Sequence, residues 1–228
     1  MGATIKGSSS KESIVAILRE RVRRATEKPR SVPAGALRFA RGARIQVGHV
    51  VVGPHSEVDG HGVWDVPGKL TVGVNGMAFS TPRDITMLRN DGVFHTTGHV
   101  RLNQGARVVV DAQAVLRIGD GTFINCFTFI HATSSITIGN DCAISWRCEL
   151  FDTQYHDLRY EGRGPERRQI IIGDHVWIGA GCRILDGTVL GDGCVVAAGS
   201  TVSGTFEPGS LIGGSPAKVL RTGVDWNI

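Results

Sequence analysis

The stretch IIIGDHVWIGAGCRILDGTVLGDGCVVAAGSTVSG, residues 170–204, decides the fold. Within it Ile172, Ile178, Ile184, Leu190, Val196 and Val202 stand six residues apart without a slip. Each is followed by a small or turn-permitting residue, Leu185 and Ser203 excepted. A step of six fits neither the 3.6-residue turn of a helix nor the two-residue alternation of a hairpin strand. It calls for a chain that turns once per hexapeptide, strand then corner, so that every sixth side chain enters a shared interior. Successive coils then stack at about 4.8 Å. The expected fold is an all-β parallel β-helix.

Reading outward, the same step recurs at Ile118, Ile124, Ile130 and Ile136, with Val100, Ala106 and Ala112 in phase ahead of them. After a two-residue shift it resumes at Ile138, Ile144 and Leu150. The slot four residues after each apolar position is small: Cys142, Cys148, Val176, Cys182, Thr188, Cys194 and Ser200. Four of the five cysteines are therefore interior packing residues, and Cys126 alone falls outside the slot. An odd count with no C-x-x-C pair suggests neither a disulfide framework nor a thiolate metal site. Gly119-x-Gly121, Gly179-x-Gly181 and Gly191-x-Gly193 fall in one register as corner glycines. None completes the G-x-G-x-x-G of a dinucleotide fold.

From Pro33 to about Val110 the text is rich in Val and Gly, with strand-like runs at 44–52 and 107–110 but no clean period. An irregular β part is expected there. Residues 11–28 predict a short amphipathic helix through Ile14, Leu18, Val22 and Ala25, stopped by Pro29 and Pro33. The chain thus divides into an N-terminal arm over 1–32 and a β-helix domain over 33–228. Regular coils are expected over 116–207, with an excursion at 151–170.

With 228 residues, 41% of them hydrophobic, the chain can bury one sizeable core plus an extension. The net charge of +4 lies entirely in residues 11–30, seven Lys and Arg against three Glu, and the remainder balances. A nucleic-acid groove would spread that excess over a face, so no nucleic-acid partner is expected. The basic arm is read as packed on its own protein, with contact to a membrane surface as the rival reading. No apolar run approaches the roughly 18 residues of a membrane span, and the start MGATIKGSSSKES has no signal-like core. A cytoplasmic location is the expectation.

The segment Ile138–Arg221, from V-W-I-G at Val176–Gly179 through G-S-P-A-K-V-L-R at Gly214–Arg221, resembles the hexapeptide-repeat acyltransferases. That left-handed β-helix family includes the galactoside and maltose O-acetyltransferases, and the match covers about Leu116 to Arg221. The resemblance implies a triangular prism of 18-residue coils, left-handed against the usual crossover rule. It also implies a homotrimer with acetyl-CoA held between neighbouring prisms, and a sugar or other small-molecule acceptor.

Between Leu150 and Ile172 the period breaks for 22 residues, which a regular prism cannot absorb, so FDTQYHDLRYEGRGPERRQI leaves the coil as a loop. The resemblance places a catalytic histidine in this excursion, and His156 is its match. Acyl transfer from a thioester to a hydroxyl needs the acceptor's proton removed as attack begins, which suits an imidazole. His156 is the expected general base, with Asp152 or Asp157 orienting its ring. A covalent route through Cys126, with His131 nearby in space, is the chemical rival.

Asn125 matches an acceptor-binding asparagine of the family, with Asp157 as a second acceptor contact. Ala180 and Ala198, one coil apart, match positions where small side chains let backbone approach the pantetheine arm. Lys218 and Arg221 match basic residues near the nucleotide end. No metal is assigned. Trp177 is read as flanking that arm or as a subunit contact, and Arg159, Arg163, Arg167 and Arg168 hint at an anionic acceptor. The alternatives are N-acetylation of an amino sugar, a non-catalytic trimeric scaffold, and a zinc enzyme of the γ-carbonic-anhydrase type using His131, His156 and His175.

Overall fold

The computed structural model describes residues 45–156 and 169–227, apart from 48, 54, 75, 77–79 and 82. The helix expected over 11–28 lies outside them, and the described residues contain strands and turns but no helix. The strands form three sheets, one of ten strands and two of seven. The chain visits them in strict rotation, giving a three-sided column.

On the first face Val50–Val52, Leu70–Val72, Val100–Leu102, Phe123–Ile124, Ala143–Ile144, Trp177–Ile178, Val195–Val196 and Ser210–Gly214 pair in parallel. The second face runs from Ser56–Asp59 to Thr201–Val202, and the third from Val63–Asp65 to Thr205–Phe206. Antiparallel strands close the first face at both ends, Ile45–Val47 on Val50–Val52 and Ala217–Thr222 on Ser210–Gly214. These parallel sheets are consistent with the left-handed coil of the resemblance.

The hexapeptide ladder is the interior. Val72, Leu102, Ile124, Ile144, Ile178, Val196 and Ile212 stack on the first face, and Leu88, Val108, Ile130, Leu150, Ile184 and Val202 on the second, all 0–1% exposed. Each such side chain is stabilised by about 1.5–3 kcal/mol when fully buried. All five cysteines are buried as well.

The break in phase after Ile136 has a local cause. Third-face strands such as Ser135–Ile138 are four residues long and send two side chains inward, Ile136 beside Leu116 and Ile138 beside Ile118. The period passes from the first inward position to the second.

The part expected to be irregular is not. The same three-face rotation runs back to Val50, with Trp64 beside Phe94 and Val58 beside Leu88, all buried. The period is hidden because the coils there are long and unequal: Val72 pairs with Leu102 and Leu102 with Ile124. The added residues sit at corners, so strand register survives while sequence spacing does not.

Corner polar groups are satisfied coil to coil. At the corner after the third face the Asp192 Oδ1 accepts from Asp174 N at 2.9 Å, and the Asp174 Oδ1 from Asn140 N at 2.8 Å. The Asn140 Oδ1 then accepts from Asp120 N at 2.9 Å. The ladder takes up turn N–H groups that no strand partner reaches.

Candidate active site

The excursion leaves the second face at the end of Glu149–Phe151, and the chain rejoins the column at Gln169–Ile172. His156 stands on this departing segment and is exposed. Asp157, Arg159, Arg163, Arg167 and Arg168 lie outside the described residues.

Asp152 does not reach His156. Fully buried, it accepts from Thr133 N at 2.8 Å and Thr133 Oγ1 at 2.9 Å through Oδ1, and from Ser134 N at 2.8 Å through Oδ2. The carboxylate closes the turn one coil below, and that turn, not an imidazole, uses its charge. Among the described residues the contacts of Asp152 are those of the turn, and none joins it to His156. From there the Gln154 Nε2 donates to Asp186 Oδ1 at 2.8 Å and Tyr155 N to Thr153 Oγ1 at 3.1 Å, which fixes the first turn of the excursion.

A second histidine enters here that no motif singled out for this place. His131, on the outer side of the second face, holds Asp111 Oδ1 at 2.9 Å through Nε2 and meets the Tyr155 hydroxyl at Nδ1. A carboxylate only accepts, so Nε2 carries a hydrogen towards Asp111. Burial, followed by the charges of Asp111 and Asp152, pushes the Tyr155 hydroxyl above its ordinary value, so it stays a donor. Phe129 stacks beside His131 and meets Phe151 edge-on, making an aromatic wall under the excursion. With both ring nitrogens engaged in this way, His131 is bonded to Asp111 and Tyr155 rather than to Cys126. Cys126 itself is fully buried, which removes the covalent route.

Asn125 is a corner residue. It is 8% exposed, and its Oδ1 accepts from Cys126 N at 2.9 Å and from Asn103 Nδ2 at 3.2 Å, one coil below. Those contacts engage Oδ1 in backbone capping and stacking.

Ala180 and Ala198 occupy one corner column, after the first face. Trp177–Ile178 pairs with Val195–Val196, Gly199 N donates to Ala180 O at 2.8 Å, and Gly181 N to Trp146 O at 3.0 Å. Two requirements for glycine meet here. A Cβ at Gly179 would lie 2.7 Å from Ala198 N, and Gly181 and Gly199 adopt φ of +68° and +73°. A Cβ on either of the latter two would meet nothing within 4 Å, so the corner is open to solvent and lined by backbone. Lys218 and Arg221 are exposed on the closing strand Ala217–Thr222, away from the excursion in sequence but on the same sheet as this corner. Trp177 donates from Nε1 to Ser145 Oγ at 3.3 Å and lies 6.0 Å from Trp226, whose partnership sequence spacing did not foreshadow.

Residues 169–204 match the family model described as bacterial transferase hexapeptide (six repeats). The chain is 28% identical to the putative lipopolysaccharide biosynthesis O-acetyl transferase WbbJ of Escherichia coli, over 59% of this chain and 74% of that one. It is 32% identical to an uncharacterized 24.8 kDa protein in the cps region of Klebsiella pneumoniae, over 69% of this chain and 71% of that one. The crystal structure of the hexapeptide-repeat acetyltransferase VCA0836 from Vibrio cholerae is 32% identical, covers 55% of this chain and 72% of that one, and gives a TM-score of 0.48. The chain belongs to the hexapeptide-repeat acyltransferases.

Proposed function

We propose that this acyltransferase moves an acetyl group from acetyl-CoA to a hydroxyl of a sugar-containing acceptor, with His156 as general base. The observation that carries the reading is the exposed imidazole where the chain leaves the column after Glu149–Phe151, on a column with an open, backbone-lined corner. The likeness to WbbJ, whose name places it in lipopolysaccharide biosynthesis, supports a glycan acceptor and O-transfer.

The His156 imidazole takes the acceptor's hydroxyl proton as the oxygen attacks the thioester carbonyl. The tetrahedral intermediate then collapses, and the same proton leaves with the coenzyme A thiol. Asp157, beside His156 in sequence, is the carboxylate left to hold the ring in its productive tautomer. Peptide N–H and C=O groups around Ala180 and Ala198 bind the amides of the pantetheine arm, and Lys218 and Arg221 neutralise phosphate.

The corner that takes the arm and the corner that releases His156 flank the second face. The Cys182–Thr188 span between them is on the order of 20 Å at full extension. A second copy, packed so that its excursion meets this corner, brings the two together, and a cyclic trimer satisfies that for three sites at once.

The test is thiol release from acetyl-CoA with a panel of sugars and nucleotide sugars. His156→Ala is expected to lose at least ~100-fold in turnover with the oligomer intact. Undiminished turnover removes His156 from the mechanism, and no release with any acceptor removes the reaction.

A further inference from the structure

Asp111, His131 and Tyr155 form one continuous hydrogen-bonded chain that ends on the residue immediately before His156. Asp111 sits in the turn after Arg107–Val110, His131 lies on Phe129–Ala132, and Tyr155 begins the excursion, so three coils of the column converge on one hydroxyl. The His131 side chain is 14% exposed, whereas Tyr155 is 65% exposed. A rigid, largely buried imidazole is thus holding the tip of an otherwise solvated side chain.

Tyr155 also adopts a φ of +60°, a left-handed conformation that L residues rarely take. Nothing in tyrosine itself favours that backbone; the contact to His131 and the Thr153 Oγ1 bond to its N–H offset the strain. Because φ and ψ of residue 155 set the direction in which residue 156 departs, fixing Tyr155 fixes where the next imidazole starts.

We infer that His131, clamped by Asp111, is a positioning residue: through the Tyr155 hydroxyl it sets the placement of His156 for proton removal from the acceptor. This rests on the reading of His156 as general base. The three groups touch neither donor nor acceptor in the proposed reaction; they act through the backbone of one residue. A shift of about 1 Å in a reacting group is worth up to ~100-fold in rate, so a single hydroxyl contact is sufficient leverage.

The test uses the full-length chain and the variants Tyr155→Phe, His131→Ala and their combination, with His156→Ala in parallel. Tyr155→Phe keeps the ring and deletes only the hydroxyl. Each single change is expected to lower kcat about tenfold while KM for acetyl-CoA stays within about twofold. The double variant is expected to be no worse than either single one, because both break the same chain. Nitrogen-15 NMR of the histidine rings supplies a readout independent of turnover. His131 should carry a proton on Nε2, facing Asp111, and Tyr155→Phe should move the Nδ1 resonance. Full kcat in Tyr155→Phe and His131→Ala, losses that multiply in the double variant, or an unmoved Nδ1 resonance each overturn the inference. If His156→Ala is inactive while the other variants are unimpaired, only this inference falls. If His156→Ala is fully active, the general-base reading falls with it.

Discussion

The indole of Trp226 lies flat on the imidazole of His175, with ring centroids 4.4 Å apart and planes 10° from parallel. The two residues, 51 apart in sequence, also exchange hydrogen bonds: Trp226 Nε1 donates to His175 O at 2.8 Å and His175 Nε2 to Trp226 O at 3.0 Å. The end of the chain is thereby strapped across the outer side of the first face, where Trp226 packs against Ala143 and Val195. Trp226→Ala should lower stability by about 3–5 kcal/mol, the range for losing a mostly buried aromatic. Urea denaturation measures the loss, and near-ultraviolet circular dichroism should lose the signal of the Trp177–Trp226 pair. An unchanged midpoint would mean that the strap carries no weight.

Asp152 holds three donors of the Thr133–Ser134 turn in a dry site. Asp152→Ala leaves those donors without an acceptor, and stability should fall by about 2–4 kcal/mol. Because the role is structural, turnover per folded molecule should change less than twofold. A collapse of kcat at unaltered stability would return Asp152 to the chemistry.

All five thiols are buried, so a water-soluble disulfide reagent should label none in the native state and all five in urea. Burial pushes Cys142 up to about 12 from an ordinary value of 9.0, and Cys194 is raised for the same reason. The hydrogen bond between Cys148 and Cys182 raises the first thiol and lowers the second, so that pair carries no net sign here. Above pH 9 the unfolded chain releases the Cys142 and Cys194 protons that the native chain keeps. Their contribution to stability is therefore fully present below pH 9 and declines as pH rises towards 12, by on the order of 4 kcal/mol for Cys142. Cys142→Ala should flatten part of that decline in pH-dependent urea midpoints; an identical slope would contradict the assignment.

Lys218 and Arg221 both project from the exposed closing strand. Replacing both with Ala should weaken coenzyme A by about tenfold and dephospho-coenzyme A by less, since a charge-assisted contact to phosphate is worth about 1.5 kcal/mol or more. Calorimetry with the two ligands distinguishes the cases, and equal weakening puts the phosphate contacts elsewhere.

How much of this was legible beforehand depended on coil length. From Ile172 onward successive coils are 16 to 18 residues long, so Ile172, Ile178 and Ile184 announce the column directly. Before it, Val72 and Leu102 are neighbours in space but thirty residues apart, and no fixed period finds them. The same holds at the site. The break in the ladder marked the excursion that carries His156, whereas the roles expected of His156, Ala180 and Ala198 came from the family resemblance. The pairing of Asp111 with His131 and of His131 with Tyr155 depends on where corners bulge, which periodicity does not encode. The hydrogen-bond partners of Asn125 and Asp152 were hidden for a related reason: a polar residue at a corner looks alike in sequence whether it faces a ligand or the turn beneath it.

The unequal coils carry a practical consequence. Since surplus residues are shed at the edges while neighbouring strands keep their pairing, length can vary at an edge without disturbing the layers above and below. Foreign peptide spliced in at such an edge should be carried as cargo by a shaft that folds as before, making this column a natural display scaffold.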